Sequence, residues 1–232
     1  MSTAVENKDL ETHDHGHDDV NHAGHGYGDN TQLYVHHHRD DYGSKFGMWL
    51  FLFTEVLLFG GLFVLYYGYR IAFPEDYHNA AMELNVTLGA VNTLILLTSS
   101  LTMVLSIVAI QRNSKKVSIF YLIATIGFAL AFMVNKYFEW MAKIDHHIYP
   151  GSEDLAVRPE GERVFFGLYY LMTGLHTFHV LVGVVVLSFC VVFIKTGSIN
   201  SKKYIVLENG GLYWHLVDLI WIFLFPLFYL LH

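Results

Sequence analysis

The sequence predicts an all-α integral membrane bundle of five transmembrane helices behind a disordered, His-rich acidic tail. Three observations carry that prediction. The chain of 232 residues is 53% hydrophobic and only 15% charged, with a mean hydropathy of +0.37, which is too apolar for a water-soluble domain. Five apolar segments, at about 46–71, 86–110, 118–140, 164–194 and 211–231, are each long enough to cross a hydrocarbon core roughly 30 Å thick. The charge is uneven: residues 1–44 carry nine acids against two bases, and thus the whole net charge of −7.

The tail, residues 1–44, has almost no large apolar side chain, so it cannot bury enough surface to offset its ordering entropy. It lacks the basic start and apolar run of a signal peptide. Eight of the fifteen histidines lie there, among them His13, His15, His17 and the run His36-His37-His38. Metal buffering, proton collection near the membrane and a plain solvated tail are all open readings. The second domain, 45–232, holds the five spans.

The first span opens at Lys45, a headgroup anchor. Glu55 then lies about 15 Å deeper at about 1.5 Å per residue, near mid-membrane. A carboxylate there costs about 2.5 to 3.5 kcal/mol on insertion scales. Such a residue faces protein or water, either as a packing hydrogen bond or as a working group. The second span has only neutral polar residues, Asn92, Thr93, Thr98, Ser99, Ser100 and Thr102, suited to hydrogen bonds between helices. In the third, Lys136 precedes Glu139 by three residues. That spacing predicts an ion pair near the outer surface with Lys143 as a second partner of Glu139, an interfacial anchor beside Trp140 being the other reading.

The fourth span runs about 46 Å, longer than the membrane is thick, so it must tilt or protrude. With tilt, His179 comes to a depth similar to that of Glu55, and a hydrogen bond between them is allowed. His176 shares its face at i, i+3, and the fifth span repeats this spacing with His215 and Asp218. One buried polar network of Glu55, His176, His179, His215 and Asp218, with possible proton exchange, is expected. The ligand types suit zinc or iron, but the glutamates and Glu-x-x-His pairs of a di-iron bundle are lacking, so no metal site and no catalytic residue is assigned. The single cysteine, Cys190, excludes an intrachain disulfide and a multi-cysteine metal centre.

Lys and Arg number nine on the side of the tail and four on the other, apart from Lys136. The N-terminus is therefore expected in the cytoplasm and His232 outside.

Lys45 to Phe63, Asn92-Thr93, Thr98-Ser99-Ser100-Leu101-Thr102, Lys136-Tyr137-Phe138-Glu139-Trp140, Thr173-Gly174-Leu175-His176-Thr177-Phe178-His179-Val180, and Tyr213-Trp214-His215-Leu216-Val217-Asp218 with Phe225-Pro226-Leu227 together resemble subunit III of haem-copper terminal oxidases. The likeness covers all five spans in order and is closest to the short bacterial form. It implies a non-catalytic subunit of an enzyme of aerobic respiration, in the bacterial cytoplasmic membrane. Haem and copper would sit in partner subunits, not in this chain. The implied partners are the catalytic subunit I, subunit II and membrane phospholipid, with no nucleic acid. The resemblance makes Glu55 the buried helix carboxylate, His176 and His179 the histidines of the fourth span, and Glu139 the glutamate near the outer surface, with Lys136 and Glu139 as an ion pair or lipid contact. Cytochrome c oxidase is the expected complex; a quinol oxidase or a nitric oxide reductase is the alternative. In a different class, a cation transporter would use Glu55, His179 and Asp218 as ligands.

Overall fold

The computed structural model describes residues 41–230. Seven α-helices and a final wide turn follow one another: α1 Asp41–Ala72, α2 Pro74–Met82, α3 Val86–Gln111, α4 Lys115–Asp145, α5 Glu153–Ala156, α6 Glu160–Lys195, α7 Ile205–Phe225, and a π-helical turn, Pro226–Leu230. Helices α1, α3, α4 and α6, and α7 continued by the π turn, are long and apolar enough to cross a membrane. The chain is a multi-pass membrane protein.

The expectations for residues 1–40 and for Leu231 and His232 lie outside the described residues. Residues 41–44, assigned above to a disordered tail, instead form the first turn of α1. That turn is tied to the start of α7: Asn209 Nδ2 donates to Ser44 Oγ at 3.1 Å, and Lys45 Nζ lies 2.9 Å from Glu208 Oε2. The other spans also run past their apolar cores by a few residues, because a helix continues into the interface until its last carbonyls find other partners.

Two short helices in the connections were not foreseen. Helix α2 begins with Pro74 in the first turn, where a missing N–H costs nothing, and buries Tyr77, Ala80 and Ala81 against α6 and the π turn. Asn85 caps α3 by accepting the Leu88 N–H at 3.2 Å. The π turn has a local cause. Pro226 has no N–H to give the carbonyl of Ile222, so the ladder widens, and Tyr66 Oη donates to the Leu227 carbonyl at 2.8 Å.

Helix α7 is the hub. It packs on α6, α3 and α1, and half of its apolar stretch is buried, against 11% for α1, which packs along α6, α7 and α2 and reaches the π turn through Tyr66. Close approach of α6 and α7 depends on Gly183, where a Cβ would stand 2.7 Å from the Trp214 ring. Helices α3 and α4 form the tightest pair, joined inside by Thr102 Oγ1 to Thr125 Oγ1 at 2.7 Å, Ser106 Oγ to Ser118 Oγ at 3.0 Å and Asn135 Nδ2 to Asn92 Oδ1 at 3.0 Å.

Candidate functional site

The five groups expected to form one network fall into separate environments. At the seam of α1 and α6, His179 Nε2 lies 2.9 Å from Glu55 Oε2, with the two side chains 11% and 15% exposed. His179 Nδ1 lies 2.8 Å from the Leu175 carbonyl. A carbonyl only accepts, so Nδ1 carries a hydrogen and Nε2 is the atom that faces the carboxyl. The pair therefore holds one proton between Nε2 and Oε2, either as neutral acid and imidazole or as carboxylate and imidazolium. Phe59 stands edge-on to the imidazole at 5.5 Å, and Tyr213 Oη donates to the His179 carbonyl at 3.0 Å.

His176 does not join this pair. Three residues along a helix turn a side chain by about 60°. Because α6 is wedged between α1 on one side and α4 and α7 on the other, that rotation sends His176 into an aromatic box. Its ring lies 5.5 Å from Phe132 and 5.2 Å from Trp221, fully buried, and neither nitrogen has a hydrogen-bond partner among the described residues.

His215 and Asp218 face α3, not α6. Ser100 Oγ lies 2.6 Å from His215 Nδ1, while both Asp218 oxygens are buried beside Ser100 without a hydrogen bond of good geometry among the described residues. The neighbouring tryptophans are anchored to the same helix, Trp214 Nε1 to Ser99 Oγ and Trp221 Nε1 to Thr93 Oγ1, each at 3.1 Å. Thr93, Ser99 and Ser100 of the second span thus serve α7, while Asn92 and Thr102 bond to α4. One network becomes a proton-sharing pair, a boxed imidazole and a serine-histidine contact next to an unpaired carboxyl.

Among the described residues, the largest buried polar cluster surrounds Lys136 and Glu139. Lys136 Nζ lies 3.0 Å from Glu139 Oε2, and the two residues are 0% and 5% exposed. The interfacial-anchor reading is thereby corrected: this lysine is inside the protein. Lys136 also donates to Tyr169 Oη at 3.1 Å and Tyr229 Oη at 2.8 Å, and each tyrosine passes its own hydrogen on to Glu139 Oε1, Tyr169 at 2.7 Å. The clasp joins α4, α6 and the π turn. Such closure is what a buried ion pair requires, since desolvation otherwise outweighs attraction. Tyr169 and Tyr229 escaped sequence reasoning. The signal was available only as a demand: two buried charges need hydroxyl partners, but no spacing says which tyrosines supply them.

Lys143 is likewise not a second ion-pair partner of Glu139. Its Nζ donates to the Glu83 carbonyl at 3.3 Å and stands over the Phe166 ring at 5.7 Å. Arg158 bridges Glu83 at 2.6 Å and Glu162 at 3.2 Å; burial works against its charge, but these two carboxylates hold its already high pKa higher still. Among the described residues no three His, Cys, Asp or Glu side chains converge as a metal would require.

Five helices long and apolar enough to span a membrane, with ionisable groups paired between them, define a polytopic helical membrane protein. The chain belongs to the cytochrome c oxidase subunit III family, whose family model matches residues 26–232. It is 31% identical to cytochrome c oxidase subunit 3 of Alkalihalophilus pseudofirmus over 195 residues, covering 81% of this chain and 87% of that one. It is 28% identical to cytochrome bo(3) ubiquinol oxidase subunit 3 of Buchnera aphidicola, over 80% of this chain and 92% of the relative. A third relative, the haem-copper oxidase subunit I+III of Aeropyrum pernix, is 28% identical over 79% of this chain, which spans 22% of its length.

Proposed function

We propose that the chain is the non-catalytic subunit III of a proton-pumping haem-copper terminal oxidase, of the cytochrome c oxidase kind, in a bacterial cytoplasmic membrane. The observation that carries this reading is the family match over residues 26–232, which takes in all five spanning helices. In this role haem and copper belong to the catalytic subunit I and to subunit II. This chain packs on them, binds phospholipid and supports proton uptake, with its N-terminus in the cytoplasm and its C-terminus outside.

Within the subunit, the group suited to proton exchange is the Glu55 and His179 pair. It has one mobile proton and partial exposure at the lightly packed α1 seam. Lys136 and Glu139, fully enclosed, are suited to joining helices instead. His176, His215 and Asp218 are assigned to the packing of α6 and α7 with α3 and α4.

Isolation of the tagged full-length chain in mild detergent tests the reading. The expected result is copurification of a chain with haem absorption, and a Glu55→Gln complex that retains the haem spectrum while its proton uptake or its endurance in turnover changes. A chain that purifies without any haem-bearing partner would overturn the assignment.

A further inference from the structure

Among the described residues, the buried tyrosines are Tyr66, Tyr77, Tyr169, Tyr213 and Tyr229. They differ in what takes their hydrogen. Tyr66 and Tyr213 donate to the Leu227 and His179 carbonyls, and Tyr77 Oη has no partner among the described residues. Tyr169 and Tyr229 meet a carboxylate instead: both donate to Oε1 of Glu139, and their own oxygens stand 3.4 Å apart. The Lys136 ammonium, held on Glu139 Oε2, donates to both phenolic oxygens at 3.1 and 2.8 Å.

A phenol that loses an electron becomes strongly acidic, and a charged radical is costly in an apolar interior. Its proton must therefore pass to a base already in contact. A backbone carbonyl is too weak a base for this, whereas a carboxylate is strong enough. We propose that Tyr169 and Tyr229 form a proton-coupled redox pair, which takes up one oxidising equivalent and holds it as a neutral phenoxyl radical. In this step one electron leaves the phenol, its O–H bond breaks, and the proton forms an O–H bond on Glu139 Oε1. Lys136 keeps its charge and donates a hydrogen bond to the radical oxygen. The oxidant is of the oxygen-radical class, formed when dioxygen is incompletely reduced, and is itself reduced to its anion. The functional reading above supplies only this source.

The Tyr169 ring lies 5.3 Å from that of Tyr170, which lies 6.0 Å from Trp140, and these last two are only partly buried, toward the C-terminal end of α4. Tyr170 Oη meets the Ile148 carbonyl at 2.8 Å, and Trp140 Nε1 has no partner among the described residues. Neither has a base that would keep a radical there. They relay an electron from a reductant at the surface to Tyr169, Glu139 returns the proton, and the pair is restored.

The test uses the full-length chain in mild detergent and supplies its own oxidant, ruthenium tris-bipyridine oxidised by a light flash in the presence of persulfate. Radicals are read by freeze-quench electron paramagnetic resonance. A tyrosyl radical that outlives those of exposed tyrosines such as Tyr67 and Tyr137 is expected, formed more slowly in deuterium oxide. Joint Tyr169→Phe and Tyr229→Phe substitution should remove it. Joint Lys136→Met and Glu139→Leu substitution, which keeps both phenols and takes away the base together with its counter-charge, should also remove it. Trp140→Phe should leave the yield unchanged and slow quenching by ascorbate several-fold. A wild type without the long-lived radical, or a radical that persists in either double variant, would overturn the pair; unchanged quenching in Trp140→Phe would overturn the relay. Because the oxidant is added, these outcomes do not depend on a partner, and copurification of a haem-bearing chain reports separately on the functional reading.

Discussion

His179 meets Glu55 through Nε2 alone, because the Leu175 carbonyl has already fixed a hydrogen on Nδ1. Helix α6 thereby orients its own histidine one turn back along its axis, and only then can α1 bring a carboxyl to the remaining nitrogen. The proton between them is confined to two atoms 2.9 Å apart.

Substitution at Glu55 should separate shape from charge. In Glu55→Gln the amide can still donate to Nε2, so the helices should assemble, with thermal unfolding in detergent changed by less than about 1 kcal/mol. Glu55→Lys should cost several kcal/mol, because a cation would then face an imidazole with no carboxylate at hand. A Gln variant that does not insert or assemble would show that the acid itself holds α1 in place.

The clasp around Lys136 predicts strong non-additivity. Lys136→Met or Glu139→Gln alone strands a buried charge and should lose about 3–5 kcal/mol, while the double change to Met and Leu should recover most of it. Tyr169→Phe and Tyr229→Phe should each cost about 1–3 kcal/mol, since each takes a charge-assisted hydrogen bond from Glu139. Additive losses in a double-mutant cycle would contradict a closed cluster.

The two histidines of α6 should respond oppositely to apolar replacement. His176 is buried without a partner for either nitrogen, so His176→Phe removes unsatisfied polar atoms and should be neutral or stabilising, provided the ring fits between Phe132 and Trp221. His179→Phe strands Glu55 and should destabilise by about 1–3 kcal/mol. Equal melting shifts for the two variants would refute the separation of their environments.

Glycine substitution should discriminate a helix crossing from open surface. Gly183→Ala places a methyl group 2.7 Å from Trp214 and should cost about 1–3 kcal/mol by forcing α6 and α7 apart. Gly47, with nothing within 4 Å, should accept Ala with a small gain in helix propensity. Melting curves of the two variants provide the check.

What the sequence by itself determined was the set of spans and that Glu55 and His179 can meet at one level along theirs. Apolar run length and 1.5 Å of rise per residue are properties of a single helix in a bilayer, and they suffice to bring Glu55 and His179 to one level. Spacing along one helix likewise placed Lys136 against Glu139. The short helices α2 and α5 were missed because nothing apolar and periodic marks them; α2 is held by Tyr77, Ala80 and Ala81 packing on α6 and the π turn, which is tertiary information. Only the tertiary structure decided azimuth, the direction each helix turns its faces. Residues at i and i+3 share a side of the helix yet differ by about 60°, and because α6 has different neighbours on either flank, that angle sends His179 to α1 and His176 to the aromatic box. The same freedom sends His215 and Asp218 to α3, and selects Tyr169 and Tyr229, distant in sequence, to enclose a charge pair whose need for partners was legible while their identity was not.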